Sequence, residues 1–370
     1  MRIIISGGGT GGHIFPAIAI GKAIKRLQPD AEILFVGAKG KMEMEKVPAE
    51  GFPIRGLWIA GFRRSLSVSN LLFPLRLVVS ICQSLLLLLR FKPQAVIGVG
   101  GFASGPVMRV ASWLRIPIYI QEQNSFPGVT NRLMAPKARL IFTAYPGMEN
   151  WFPQQKTLLT GNPVRRNVIS VEGLKEEALQ YFGMDKGRTT ILVVGGSQGA
   201  LSINKAVMAC LKQNASSDLQ WIWQTGTGFN ADARNFVEIE GLSHVKVHPF
   251  IQRMDLAYAA ADLIISRAGA IAISELCNIG KPVILVPYPF AAANHQMHNA
   301  RRIAEAGGAW VIEDSMAESQ LCLTLSELVA DKSRRHQMGE AIRRLAIPDA
   351  DERIAKAILD DLAYFNKGKS

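Results

Sequence analysis

Near the start of the chain, Gly7, Gly9 and Gly12 are followed directly by His13 in the stretch GGGTGGHIF. Glycines at this spacing bare the backbone N–H groups of a turn that opens a helix, an arrangement suited to phosphate or to a closely approaching sugar. Dinucleotide binding would also need an acid closing the next strand, to hold the ribose hydroxyls. Here Glu32 opens the strand AEILFVG, and Gly37 and Ala38 stand at its far end. A nucleoside triphosphate loop would need Lys and Ser or Thr after the last glycine, where this chain has His13 and Ile14. What remains is a loop whose amides and helix start meet a diphosphate or a sugar, with a purely structural tight turn as the alternative.

A second cluster lies further on. In SRAGAIAISEL, Ser266 to Gly269 form a strand-to-helix turn, with Ser274 and Glu275 in the helix that follows. A carboxylate about one turn into such a helix suits the paired hydroxyls of a ribose; the plain alternative is a solvated helix glutamate. The stretch PYPFAAANHQMHNARR then sets Asn294, His295, Gln296, His298 and Asn299 close together. His295 and His298 have no third ligand at metal spacing, so the reading is sugar-hydroxyl recognition by amides, with no metal. No D-x-D pair flanked by apolar strand appears, which weakens a metal-dependent sugar transferase.

These residues need a scaffold. Ile- and Val-rich strand-length runs alternate with amphipathic helix-length runs throughout, and several strands lack alternation, as expected of parallel strands covered on both faces. The class is α/β, doubly wound. IIISGGGTGG from Ile3 and ILVVGGSQGA from Ile191 both read strand, glycine turn, helix, so two similar Rossmann-like domains are expected. With LTGNPVRRNV as the linker, the domains are expected at 1–162 and 163–347, and the amphipathic tail 348–370 is expected to pack back on the first. The four cysteines are scattered, which suits a reducing compartment and excludes a disulfide framework, and the N-terminus reads as no signal peptide. The net charge of +12 fits an anionic partner or a generally basic surface. No arginine-rich arm or nucleic-acid motif is present, so nucleic acid is not the expected partner.

Taken together, GGTGGHIFPAIAI, GGFASGP, EQNSFPGVTNR, GNPVR, VVGGSQGA, SRAGAIAISE and HQMHNA resemble, in order and over essentially the whole chain, the MurG family of glycosyltransferases. That resemblance implies a GT-B fold, two Rossmann-like domains facing a cleft. It implies transfer of N-acetylglucosamine from UDP-N-acetylglucosamine to lipid I, giving lipid II for peptidoglycan, with no cofactor. It further implies that Ser197 bonds the diphosphate and that Glu275 takes the ribose hydroxyls. Backbone at Ile251 would read the uracil edge, and Arg165 would lie near the nucleotide. Ala270, Ile271, Ala272, Ile273 and Ser274 would bring helix-start amides to the phosphates, and Gln296 would bond the sugar. Thr10, Gly11, Gly12 and Asn124 would face the sugar and the acceptor. Three departures stand out: Phe102 where the family commonly has Tyr, Ala272 where it has Thr, and Asn294 where Asp often precedes the His-Gln pair.

Without a metal, the charge growing on UDP asks for amides, a hydroxyl and helix N-termini. The acceptor C4 hydroxyl asks for a base, and direct displacement would invert the anomeric carbon. His13 is the first candidate base and Glu122 the second; the alternative for His13 is positioning alone. The competing functions are a nicotinamide oxidoreductase, a GT-B relative with another acceptor, and a UDP-sugar epimerase. Finally, in NLLFPLRLVVSICQSLLLLLRFK the uncharged core Leu77 to Leu89 falls short of the roughly 20 residues a membrane span needs. On a helix, Arg76, Ser80, Gln83, Ser84 and Arg90 make one polar stripe and leave about two thirds of the circumference apolar. The alternative is a helix buried among neighbours. The resemblance favours peripheral binding at the cytoplasmic face of the inner membrane, with the surface around Leu71 to Leu75 inserted. Arg63, Arg64, Arg76, Arg90 and Lys92 would meet anionic headgroups. Proteins of cell-wall synthesis are candidate partners.

Overall fold

The computed structural model describes residues 1–61, 72–164, 166–213 and 218–367. The chain divides into two compact units, one of Met1–Val164 with Pro348–Ser370, the other of Arg165–Ile347.

The first unit runs β1 (Arg2–Ser6), α1 (Gly11–Leu27), β2 (Glu32–Ala38), α2 (Glu43–Ala49), β3 (Ile54–Leu57), α3 (Phe73–Phe91), β4 (Ala95–Gly98), α4 (Ser104–Trp113), β5 (Ile118–Glu122), α5 (Val129–Met134), β6 (Leu140–Thr143) and β7 (Thr157–Leu159). The sheet order is β3-β2-β1-β4-β5-β6-β7, all parallel. Ile3, Ile4 and Ile5 are all fully buried because both faces of β1 are covered. Ile3 and Ile5 join the α1 side of the core, and Ile4 joins the α4 side.

The second unit runs α6 (Arg166–Ile169), α7 (Lys175–Phe182), β8 (Thr189–Val194), α8 (Leu201–Gln213), β9 (Leu219–Gln224), α9 (Asn230–Ile239), β10 (Val245–His248), α10 (Met254–Ala260), β11 (Leu263–Ser266), α11 (Ala270–Ile279), β12 (Val283–Leu285), α12 (His295–Glu305), β13 (Ala309–Val311), α13 (Ala317–Ala330) and α14 (Lys332–Arg343). Its parallel sheet has the order β10-β9-β8-β11-β12-β13. In both units the strand order reverses once, between β1 and β4 and between β8 and β11. A doubly wound sheet binds its ligand at that point, beyond the carboxyl ends of the strands. Each glycine turn lies there.

The last helix, α15 (Ala350–Lys367), belongs to the first unit. Ile354, Ala355, Ile358 and Leu362 enter the core beside α1. Asp361 accepts hydrogen bonds from the Tyr119 hydroxyl (2.6 Å) and from Arg139 Nε and Nη2 (2.6 and 2.7 Å).

Helix α3 is turned against convention. Its buried residues are Ser80, Ser84 and Leu88, one turn apart. Both serine hydroxyls donate within the helix, to the carbonyls of Leu77 (2.8 Å) and Ser80 (2.7 Å). The buried stripe therefore carries no unmet hydroxyl and is thin enough for α3 to lie close on α4. Gln83 accepts from the Trp58 amide, and the Arg76 guanidinium stands over the Trp58 ring. All of the polar stripe but the exposed Arg90 thus faces protein, while Leu75, Val78, Leu86 and Leu89 are each more than half exposed. By length and composition α3 would also suffice to cross a membrane. Leu71, Arg63 and Arg64 lie outside the described residues.

Candidate active site

In the first unit, β1 delivers the glycine turn to the start of α1. Gly8 and Gly9 have φ of +147° and +90°, values that L side chains rarely adopt. Thr10 caps the helix in an extended conformation, with its hydroxyl 3.1 Å from His13 Nδ1. The His13 ring lies against Gly100, where a Cβ would come within 3.0 Å of Cδ2 and Nε2. Phe102 covers Gly9 in the same way. Thr10 and Gly12 are exposed, and Gly11 and His13 half-buried, so this edge is open to a ligand.

Glu122, the other candidate base, closes β5 and is buried. Its Oε1 accepts from the Asn124 amide (3.0 Å) and side chain (3.3 Å). Its Oε2 accepts from the Gly128 amide (3.0 Å) and Asn131 Nδ2 (2.9 Å). Burial pushes its carboxyl above the ordinary glutamate value, and these hydrogen bonds oppose the rise. With both oxygens engaged, Glu122 holds the 123–128 loop and the start of α5, and through them Asn124, in place. Gln121, Gln123 and Asn162 extend this buried polar layer.

In the second unit, a cavity of about 780 Å³ opens at the strand-order reversal. Gly195, Gly196 and Gly199 form one wall, Gly269 and Ala272 another, and Tyr288 and Gln296 a third. Ser197, between Gly196 and Gln198 of the first wall, is exposed but does not itself line the cavity. Helix α11 starts at Ala270 with no acid in its first turn and no side-chain cap, so its N-terminal field is open to an anion. Ala270, Ile271 and Ala272 supply that turn; Ile273 already donates to Gly269 O, and the Ser274 hydroxyl donates to Ala270 O (2.9 Å). Glu275 is buried, with Tyr258 OH donating to Oε2 at 3.1 Å. It is not a solvated helix glutamate. The Ile251 amide donates to Gln224 Oε1 (2.8 Å), so it is engaged within the protein. Gln296 accepts from the Tyr288 amide (3.0 Å). Just before it, Ala293 and Asn294 both hold left-handed φ near +50°, a strain that clusters at ligand sites. Arg165 lies outside the described residues.

Three features escaped the sequence reading. Gln224 is buried and ties Gly196 O (2.9 Å) to the Ile251 amide. Arg267 donates to Val286 O, Ser202 Oγ and Asp314, so it binds the walls of the cavity to one another. Glu43 sits under the first glycine turn. All three depend on register between distant segments, for which local spacing carries no signal.

Two parallel-sheet units of this order, each with a glycine turn at its reversal point, are the architecture of the GT-B fold. Residues 3–143 match the glycosyltransferase family 28 N-terminal domain, and residues 190–354 match the family 28 C-terminal domain. The chain is 47% identical over 358 residues to the UDP-N-acetylglucosamine–N-acetylmuramyl-(pentapeptide) pyrophosphoryl-undecaprenol N-acetylglucosamine transferase of Christiangramia forsetii, and 48% identical over 358 residues to that of Parabacteroides distasonis; 97% of each chain is covered in both cases. The crystal structure of Acinetobacter baumannii MurG superposes with a TM-score of 0.79 at 27% identity, covering 97% of this chain and 99% of that one. A Staphylococcus aureus MnaA–UDP structure, at 17% identity and a TM-score of 0.69, shares the fold. The chain belongs to the MurG family of N-acetylglucosaminyltransferases.

Proposed function

We propose that this chain transfers N-acetylglucosamine from UDP-N-acetylglucosamine to the C4 hydroxyl of the N-acetylmuramyl group of lipid I, giving lipid II and UDP. The observation that carries this reading is near-half identity to transferases of that name over 97% of the chain. The second unit holds the donor. Ser197 and the first-turn amides of α11 meet the diphosphate, where negative charge grows as UDP leaves. Glu275, steadied by Tyr258, takes the ribose hydroxyls, and Gln296 takes sugar hydroxyls. The first unit serves the acceptor. His13, with the Thr10 hydroxyl beside its Nδ1, takes the proton from the C4 hydroxyl, and attack on the anomeric carbon inverts it from α to β. Glu122 holds the loop that presents Asn124 and stays out of the proton transfer. The test is transfer of labelled N-acetylglucosamine to a lipid I analogue. A β-1,4-linked disaccharide product is expected, and labelled free sugar or an epimer in its place would refute the reading.

The same reading places the protein peripherally on the cytoplasmic face of the membrane, through the outward leucines of α3. Anionic liposomes should sediment the protein in a salt-sensitive way, and Leu86→Glu should release it while leaving UDP affinity unchanged. Equal sedimentation of that variant would move the membrane face elsewhere.

A further inference from the structure

The first glycine turn rests on a carboxylate. Glu43, the first residue of α2, is 1% exposed. Its Oε2 accepts the Gly9 N–H (3.1 Å), and its Oε1 accepts the Ala38 N–H at the end of β2 (2.9 Å). Two glycines make the room: a Cβ at Gly8 would stand 2.2 Å from Glu43 Oε1, and one at Gly37 would stand 2.4 Å from Glu43 Cγ. From the other side Gly101 closes on Gly8, since a Cβ there would meet Gly8 O at 2.3 Å. Gly8 is therefore held between a carboxylate and the Gly100–Gly101 segment that follows β4, and Gly100 is the residue the His13 ring rests on.

In a dinucleotide fold, the amides of this turn meet pyrophosphate, and an acid at the end of β2 meets ribose. Here one acid follows β2 by five residues, turns inward, and occupies a turn amide itself. We propose that Glu43 is a positioning residue: it fixes Gly8 and Gly9 in their left-handed conformation and thereby aims Thr10 and His13 at the acceptor. This rests on the proposed role of His13. A glutamine cannot replace it, because two N–H donors face the two oxygens and an amide offers one acceptor whichever way it is flipped.

The experiment measures kcat, the KM for UDP-N-acetylglucosamine and UDP affinity for Glu43→Gln, His13→Ala and the double variant, with lipid I analogue saturating. A misplacement of about 1 Å at a reacting group can cost about a hundredfold, so Glu43→Gln should lower kcat by about ten- to a hundredfold. Donor KM and UDP affinity should stay within about twofold, and the double variant should be no more than about twofold worse than His13→Ala alone. An unchanged kcat, a parallel loss of UDP affinity, or losses that multiply would each overturn the proposal. Should Glu43→Gln fail to fold, Glu43→Asp draws the carboxylate back by one methylene and supports the same comparison. The two readings fail separately. A His13→Ala variant with near-normal kcat sinks the base assignment, whereas a kcat loss confined to Glu43→Gln would leave the carboxylate aiming Thr10 to Gly12.

Discussion

The two glycine turns are built alike and braced differently. Each follows the first-threaded strand of its sheet, opens a helix, and carries two glycines at positive φ: Gly8 and Gly9 in one, Gly196 and Gly199 in the other. Under the first lies the carboxylate of Glu43, accepting an amide. Beside the second lies the carboxamide of Gln224, donating to Gly196 O and accepting from Ile251. Among the described residues, no carboxylate hydrogen-bonds to the second turn. On the proposed reading the two braces fix turns with different work: the first aims Thr10 and His13 at the acceptor, and the second holds a wall of the donor cavity.

The sharpest way to break that comparison is at the base. His13→Ala should lower kcat by about a hundred- to ten-thousandfold, the usual worth of general acid–base help, with UDP affinity intact. A loss under about tenfold with an unchanged pH profile would leave His13 a positioning residue. Next come the second turn and the Gly101 backbone packed on the first. At Gly199 a Cβ would stand 1.9 Å from Thr225 O, and at Gly101 it would stand 2.3 Å from Gly8 O, both backbone atoms with little freedom to yield. Gly199→Ala should cost UDP affinity on the order of a hundredfold, and Gly101→Ala should cost kcat on the same order while UDP still binds. Calorimetry with UDP beside steady-state rates checks both. Loss of both properties in both variants would mean that the turns do not divide the work.

Much of this architecture was legible in the sequence. Glu32 at the wrong end of β2 argued against a dinucleotide, and the structure has it exposed there. The paired strand–glycine–helix starts gave the two sheets. The braces were not legible, because Glu43 and Gln224 act across 34 and 28 residues of chain and nothing local distinguishes them from surface polar residues. Periodicity also found the serine stripe of α3 but not its direction. Spacing says which residues share a face; only packing says which way that face looks. The short edge strands β3 and β7 carried too few apolar residues to stand out.

A smaller effect should separate ribose from phosphate within the second unit. Glu275 is held by Tyr258, so its loss removes a preorganised acceptor. Hydrogen bonds to a charged group contribute about 1.5–3 kcal/mol, so Glu275→Ala should raise donor KM by roughly ten- to a hundredfold. Wild type should discriminate against a 2′-deoxyribose donor, and the variant much less. Equal discrimination in both would take Glu275 away from the ribose.

The smallest effect tests how the two units are closed. The second unit is completed by its own α13 and α14, whereas the first borrows α15 from the far end of the chain. Asp361 anchors that helix, and the Arg139 hydrogen bonds hold its carboxyl below the usual aspartate value, against a partial desolvation penalty. A depressed carboxyl contributes stability that is fully present above the unfolded value, about 3.9, and is lost as pH falls through the folded value. Asp361→Asn should therefore lower the melting temperature modestly at neutral pH, and the gap to wild type should narrow once the pH drops below about 4. UDP affinity, which the proposed function assigns to the second unit, should not change at any pH where the protein is folded. A gap that persists unchanged into acid would assign the anchoring of α15 to its apolar face, Ile354, Ile358 and Leu362, and not to the ion pair.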